Sequence, residues 1–391
     1  MIQFVAVGAC YLDTILDVPR FVQEDEKLRA TRLTRRRGGN CANTIEVLQQ
    51  LVGLAAQGSC VGATAELGTT HVEEIHRRPR RKDGGEQVPK AQIRSSLVSV
   101  LPHRASLAVQ LIAESLGCAP PPDIEAGHAT SSGSGSGDVR AVSASSSSGD
   151  DDHGINRSQH VSLEHCIYRQ DHQEPASSYI IRSQENGSRT IVNYNELPDM
   201  TVAEFRSVAD AIAGQGHEMW FHFEGRSPAI TLDCMRYIRA AYPAARVSVE
   251  VEKPGRPGLQ ELVPEADVVF FSRGWAQDRG YEDCEACVRD QAQHALNATM
   301  LCCTWGQTGA AGIEPKTKTY AQRGAWVSDE PCTVDTIGAG DTFMAGMLYA
   351  CLAHGEDWPL GKKLEFANEL AGRKVVQEGF AGLAEPMSGW L

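Results

Sequence analysis

Met219-Trp220-Phe221-His222-Phe223, Val247-Ser248-Val249-Glu250-Val251, Val268-Val269-Phe270-Phe271-Ser272 and Met300-Leu301-Cys302-Cys303-Thr304 are four short apolar runs in the second half of a 391-residue chain. Each has the length of a strand, and from Val202 onward such runs alternate with helix-like stretches. That alternation predicts an α/β fold with a mostly parallel sheet covered by helices on both faces. Met1 to Gly8 reads as a first strand, because Asp13 soon interrupts the apolar run and no basic stretch precedes it as in a signal peptide. Cys166-Ile167-Tyr168, Ser178 to Ile181 and Thr190 to Tyr194 are further short strands, the last two joined by the hairpin signal Asn186-Gly187. Together with Leu28 to Leu33 they predict a separate small sheet over the carboxyl ends of the main strands, where folds of this kind place ligands.

Two stretches break the pattern. Residues 68–94 are polar and basic, with Arg77-Arg78-Pro79-Arg80-Arg81-Lys82 inside them, and residues 127–154 are dominated by Ser and Gly. Neither can bury enough apolar surface to offset its ordering entropy, so both read as flexible insertions in one domain spanning 1–391. The basic run is open to a second reading, a targeting or partner-binding segment. Between the insertions, Leu97 to Leu101 is strand-like and Ala105 to Leu116 helix-like.

Hydrophobic residues make up 42% of the chain, enough for a large core, and the net charge of −13 argues against a nucleic-acid partner. No apolar stretch reaches the ~18 residues that span a membrane. Twelve cysteines in a chain of this length do not form a disulfide framework and suggest a cytoplasmic protein with reduced thiols. Cys284 and Cys287 make one C-x-x-C without a second pair at zinc-site spacing, which leaves two thiols on one helix face beside a metal or redox reading.

Chemistry concentrates in Val334-Asp335-Thr336-Ile337-Gly338-Ala339-Gly340-Asp341-Thr342-Phe343. Small residues there let the backbone approach a ligand, and the helix expected from Thr342 to Leu352 offers its free amides to an anion. Asp341, at that helix start, has two open roles: base for an attacking hydroxyl beside bound phosphate, or simple N-cap. A second glycine-rich element, Arg37-Gly38-Gly39-Asn40-Cys41-Ala42-Asn43, opens another helix. Its carboxamides Asn40 and Asn43, three residues apart, can hold a polyhydroxy ligand; the alternative is one cap and one exposed amide. There is no G-x-x-x-x-G-K-[ST] and no G-x-G-x-x-G after the first strand, which excludes a P-loop kinase and argues against a dinucleotide enzyme.

Arg37-Gly38-Gly39-Asn40 and Asp335-Thr336-Ile337-Gly338-Ala339-Gly340-Asp341-Thr342 resemble the two signatures of the ribokinase (phosphofructokinase B) family of carbohydrate kinases. Gly187 to Ile191, Glu224-Gly225-Arg226, Val247 to Pro254 and Asp267 to Phe270 resemble its ketohexokinase branch in the same order. The resemblance covers about residues 1–53, 97–117 and 160–385. It implies a ribokinase-like three-layer sandwich with a small β-sheet lid, whose strands fall within about 13–37 and 164–195 and which clasps a second subunit as a homodimer.

The activity implied is ATP-dependent transfer of the γ-phosphoryl group to a hydroxyl of a ketose such as fructose, with Mg2+ and a monovalent cation such as K+. Carried over by position, Asp13, Gly39, Asn40 and Asn43 hold the sugar, and Asp25 reaches a neighbour's sugar. Asp341 is the base, with the Gly338, Ala339 and Gly340 amides as anion hole. Arg189, Arg226, Lys253, the turn Gly306-Gln307-Thr308-Gly309, and Ala371 with Gly372 meet ATP. The family's Asn-x-x-Glu, which organises hydrated magnesium, is replaced here by Ser272-Arg273-Gly274-Trp275, so Glu252, or else Glu250, takes that duty. Gln307 stands where the ketohexokinase branch carries an acidic residue. Two alternatives remain at this stage: a nucleoside or other carbohydrate kinase of the same fold, and a non-catalytic sugar-binding regulator.

Overall fold

The computed structural model describes residues 1–61, 92–118, 160–329 and 333–391. The insertion expected at 127–154 lies outside the described residues, as does most of that at 68–94; Ile93 and Arg94 from the latter open a strand. The four apolar runs are strands β9 (Glu218–Glu224), β10 (Arg246–Val251), β11 (Val268–Phe271) and β12 (Met300–Thr304). They lie parallel beside β1 (Ile2–Val7) and β4 (Ile93–Val98) in one sheet of order β14-β13-β12-β11-β10-β9-β1-β4. Its far edge, β13 (Ala310–Glu314) and β14 (Thr319–Arg323), is antiparallel. No sequence signal had singled out these two strands, whose small and polar residues do not form an apolar run.

Helices cover both faces of this sheet. Helices α1 (Asn40–Val61), α2 (Leu107–Ser115), α7 (Ala339–Tyr349) and α8 (Leu360–Val375) pack with Phe4, Trp220, Phe270 and Cys302 into one apolar cluster. Helices α3 (Val202–Ala213), α4 (Pro228–Ala241), α5 (Arg273–Asp278) and α6 (Cys284–Gln291) pack with Phe221, Val247, Val249 and Phe271 into the other. This is the three-layer arrangement expected. The split follows the strand period of two: odd and even residues of β9 and β10 face opposite helix layers. Along these strands the even face is polar, carrying His222, Ser248 and Glu250, all buried. Among the described residues no helix is long and apolar enough to cross a membrane, and the ten described cysteines, Cys284 and Cys287 included, are free thiols.

The small sheet has the order β3-β2-β7-β8, built from β2 (Tyr11–Val18), β3 (Arg32–Gly38), β7 (Ser177–Ser183) and β8 (Arg189–Tyr194). The strand placed at Leu28 to Leu33 therefore starts later, at Arg32, and runs through three consecutive arginines. Cys166-Ile167-Tyr168 also differs from expectation. Ile167–Tyr168 forms β6, which pairs with β5 (Val100–Leu101) outside the small sheet.

Candidate active site

In the parallel part of the large sheet, β4 lies on one side of β1 and β9 to β12 on the other. At such a switch in strand order the loops diverge and leave a crevice at the carboxyl ends. The residues there are Glu224 from β9, Glu250 and Glu252 from the end of β10, Ser272 after β11 and Thr304 closing β12. The starts of α1 and α7 face them. A cavity of about 120 Å3 is lined by Asn40, Glu250, Glu252, Ser272, Thr304, Gly340 and Asp341.

Two glycines shape the backbone here. Gly39 has φ of +103°, and a Cβ on it would run into the Ala9 carbonyl. That close approach brings the start of α1 onto the end of β1. Gly338 has φ of +80° and is the N-cap of α7, packed on the Phe380 ring. The helix thus begins at Ala339 rather than at Thr342. Asp341 lies within its first turn, not at the cap position, and makes no capping bond. Of the three amides expected to form an anion hole, that of Ala339 makes a long bond of 3.4 Å to the Thr336 carbonyl, while the space over Gly340 is open.

The Asp341 carboxylate accepts a hydrogen bond from Asn43 Nδ2 at 2.7 Å. Arg37 Nη1 donates to Asn43 Oδ1 at 2.9 Å, and Arg37 also pairs with Glu46, which fixes the amide's orientation. Burial raises the Asp341 pKa to about 8, with the nearby Glu250 adding to the shift and the Asn43 bond opposing it. A carboxyl poised there is matched to proton transfer near neutral pH.

Asn40 turns the other way. Its Nδ2 donates to Glu250 Oε2 at 2.8 Å and to Glu252 Oε2 at 2.7 Å. The two carboxamides therefore serve different carboxylates, Asn43 the one on α7 and Asn40 the pair at the end of β10. Behind Glu250 the polar face of β9 and β10 continues inward. Glu250 Oε1 hydrogen-bonds His222 Nε2 at 3.1 Å, His222 Nδ1 meets Ser248 Oγ at 2.9 Å, and Trp220 Nε1 donates to that hydroxyl at 2.9 Å. Burial lowers the His222 pKa to about 3, so the imidazole is neutral, and raises that of Glu250 well above the carboxylate range. Sequence reasoning missed this ladder, although polar residues at alternate positions of an otherwise apolar strand are a readable signal.

The remaining expected positions spread around the crevice. Asp13 is buried on β2 against Gly38, where a Cβ would sit 2.5 Å from its Oδ2; burial raises its pKa, opposed by a Ser178 hydrogen bond and by Arg36 and Arg37. Asp25 has φ of +59° in the exposed turn between β2 and β3. Arg226 lies 4.8 Å from the centre of the Tyr11 ring, in a second cavity that Glu224 and Cys10 also line. Lys253 pairs with Glu252 at 2.7 Å. Arg189 is exposed on β8, away from these carboxylates in sequence and sheet. The Gly306–Thr308 turn follows β12, closed by a 2.7 Å bond from Trp305 N to the Gly309 carbonyl. Arg273 extends to that turn, a cation that sequence reasoning did not single out: a Cβ on Gly306 would lie 3.1 Å from its Nη1. Ala371 and Gly372 lie on α8, with Gly372 packed on Trp326. Ser272 caps α5 and donates to the Glu252 carbonyl at 2.6 Å, so the segment in the Asn-x-x-Glu position holds the end of β10.

A model of the pfkB family of carbohydrate kinases matches residues 136–385. Ketohexokinase of Mus musculus is 30% identical over 234 residues, which are 58% of this chain and 74% of the mouse protein. Among solved structures, ribokinase of Giardia lamblia superposes with a TM-score of 0.63 at 12% identity, covering 100% of both chains. Ribokinase of Thermotoga maritima gives 0.62 at 12% identity, covering 100% of this chain and 99% of that one. Arabidopsis thaliana ribokinase complexed with ribose and ATP gives 0.57 at 16% identity, covering 96% and 93%. These structures share the ribokinase fold with this chain. The chain belongs to the pfkB family of carbohydrate kinases and is an ATP-dependent enzyme of that class.

Proposed function

We propose that the protein transfers the γ-phosphoryl group of ATP to a hydroxyl of a ketose such as fructose, with Asp341 as general base. The observation that carries this reading is the Asp341 carboxyl itself. It is buried in the first turn of α7, held by Asn43 and beside the cavity over Gly340. The likeness to ketohexokinase supports a ketose acceptor. Asp13, Gly39, Asn40 and Asn43 orient the sugar, and Asp341 takes the proton of the attacking hydroxyl. The Gly338, Ala339 and Gly340 amides and the start of α7 stabilise the negative charge that develops on the transferring group. Arg189, Arg226, Lys253, the Gly306–Gly309 turn, and Ala371 with Gly372 form the nucleotide side.

Glu252, with Glu250 beside it in the cavity, offers carboxyl oxygens of the kind that suit hydrated Mg2+. Glu252, half-buried, would hold the ion through its waters, and the ion supplies charge neutralisation for the phosphates. An ATP-consumption screen across ketoses, aldoses and nucleosides tests the reading. Fructose or another ketose should give the highest kcat/KM. A nucleoside or aldose preference would replace the acceptor, and no turnover on any of them would replace the enzyme by a sugar-binding regulator.

The lid supports a dimer. Leu33, Tyr179, Ile191, Val192 and Tyr194 are exposed on the small sheet, and β8 is an edge strand with all of its residues exposed. An apolar sheet with an open edge needs a cover. A second copy of the lid would supply it and bring Asp25 to a neighbouring site. Light scattering at assay concentration should give twice the chain mass; a monomer would remove both the clasp and the role of Asp25.

A further inference from the structure

Behind the loop that leads into α7 stands a buried lysine that the mechanism above does not use. Lys374, in the last turn of α8, is fully buried. An ammonium has three donors and no acceptor. Here three oxygens meet it: Asp335 Oδ2 at 3.0 Å, the Asp335 carbonyl at 3.1 Å and the Gln377 carbonyl at 3.4 Å. The centre of the Phe380 ring lies 5.3 Å from Nζ. These three oxygens match the three donors of the ammonium, and oxygens of this kind also ligate free monovalent cations; here an ammonium of the chain already sits among them.

The oxygens belong to the segment that becomes the anion hole. Asp335 Oδ1 accepts the Ile337 amide at 3.0 Å, one residue before Gly338. The Val334 and Asp335 amides both donate to the Val375 carbonyl, at 2.9 and 3.1 Å. From the lid, Arg36 Nη1 on β3 reaches the same Asp335 Oδ2 at 3.1 Å. One carboxylate thus ties α8, the lid and the loop together. Burial would raise the Asp335 pKa, but the Ile337 amide, the Lys374 ammonium and Arg36 together lower it, so the carboxylate stays charged in a buried place. The oxygen set does not fit an added K+, because its centre is taken.

We propose that Lys374 is a tethered monovalent cation that positions the anion-hole loop, so that phosphoryl transfer in this chain needs no free ion such as K+. It is a positioning residue: it acts on the loop through Asp335 and touches no substrate. The proposal rests on the kinase reading for its turnover arm and stands without it for its binding arm.

The parent and two variants, Lys374→Ala and Lys374→Met, are assayed in KCl, NH4Cl and choline chloride at equal ionic strength. Parent turnover should be the same in all three salts. Lys374→Ala should lose about 10- to 10²-fold in kcat in choline, the scale of a small misplacement of catalytic groups, with sugar KM nearly unchanged. K+ or ammonium should return much of that loss by entering the space vacated. Lys374→Met fills the space without a charge and should lose turnover without recovery. Thermal denaturation gives the arm that does not depend on activity: K+ or ammonium, but not choline, should raise the Tm of Lys374→Ala and leave the parent's unchanged. If no sugar or nucleoside is phosphorylated by the parent, the kinase reading fails and this thermal titration still decides the role of Lys374. Parent turnover or Tm stimulated severalfold or by several degrees by K+ over choline, or a Lys374→Met variant with parent-like kcat, would overturn the proposal.

Discussion

Asp341→Asn should keep the fold and nucleotide binding while turnover on the best sugar falls by at least about 10²-fold, the lower range for loss of a general base. The substitution is nearly isosteric, and an amide oxygen at this position can still accept from Asn43 Nδ2, which now lies 2.7 Å from the carboxylate. What the amide cannot do is take a proton. Asp341 caps nothing, so no helix-capping energy is lost to confuse the result. The measurement is kcat beside a nucleotide-binding titration. A variant with near-normal kcat would leave Asp341 a structural partner of Asn43 and send the search for the base elsewhere.

The same substitution has a signature in stability. The folded protein raises the Asp341 pKa from 3.8 to about 8, first by burial. Between those values the folded state holds a proton that the unfolded state has lost, so this group's contribution to stability is present at low pH and is lost as pH rises through the folded value. Asparagine carries no such dependence. The Tm of ligand-free Asp341→Asn, relative to the parent, should therefore be unchanged near pH 4 and increase steadily toward pH 8. A difference that does not change with pH would mean that the carboxyl ionises in its ordinary range. In the parent, kcat/KM should rise with pH through about 8, since that ratio reports the base in the free enzyme.

Burial explains which parts of this fold could be read from sequence. Strands β9 to β12 were visible because a strand covered on both faces is rich in apolar residues, here with at least every second residue apolar, and their limits fell within a residue of those observed. The hairpin between β7 and β8 was visible because Asn186-Gly187 supplies the left-handed backbone its turn needs, and Gly187 has φ of +70°. β3 was misplaced because Arg35, Arg36 and Arg37 look like a solvated run. Two of them are held by side chains outside the strand: Arg37 by Asn43 and Glu46 in the helix that follows, and Arg36 by Asp335 far along the chain. No local pattern announces a partner almost 300 residues away.

The site divides along the same line. Its loops were legible because Gly39 and Gly338 are backbone requirements written as single residues. The network behind them was not. Trp220, Ser248 and His222 line up on Glu250 only after β9 and β10 are paired. Lys374 reads in sequence as a charge in the last turn of a helix, where lysine commonly faces water and favours the dipole; tertiary packing turns it inward onto Asp335. In both cases a polar side chain on a regular element gained its role from an element that folds against it.

Gly338→Ala should be as damaging to turnover as loss of the base, by a different route. At φ of +80° an L-residue with a Cβ is strained by roughly 1–2 kcal/mol. The new methyl would also drive into the Phe380 ring, 2.6 Å from Cε1 and nearer still to Cζ. Phe380 is buried, and its carbonyl is held by Gln50 Nε2 at 2.9 Å, so the ring has little freedom to retreat. The loop must then move, and with it the amides of Ala339 and Gly340, which the proposed mechanism assigns to the transferring group. A shift of about 1 Å in such donors costs on the order of 10²-fold in rate. The strain and the collision can be separated with Phe380→Leu, which gives the methyl room but leaves the backbone angle. In the double variant the melting temperature should recover a larger share of its loss than kcat does, because the collision is relieved while the loop stays strained. Gly338→Ala with parent-like kcat would mean that the loop amides do not serve the transferring group, and the anion hole would have to be assigned to other donors at the start of α7.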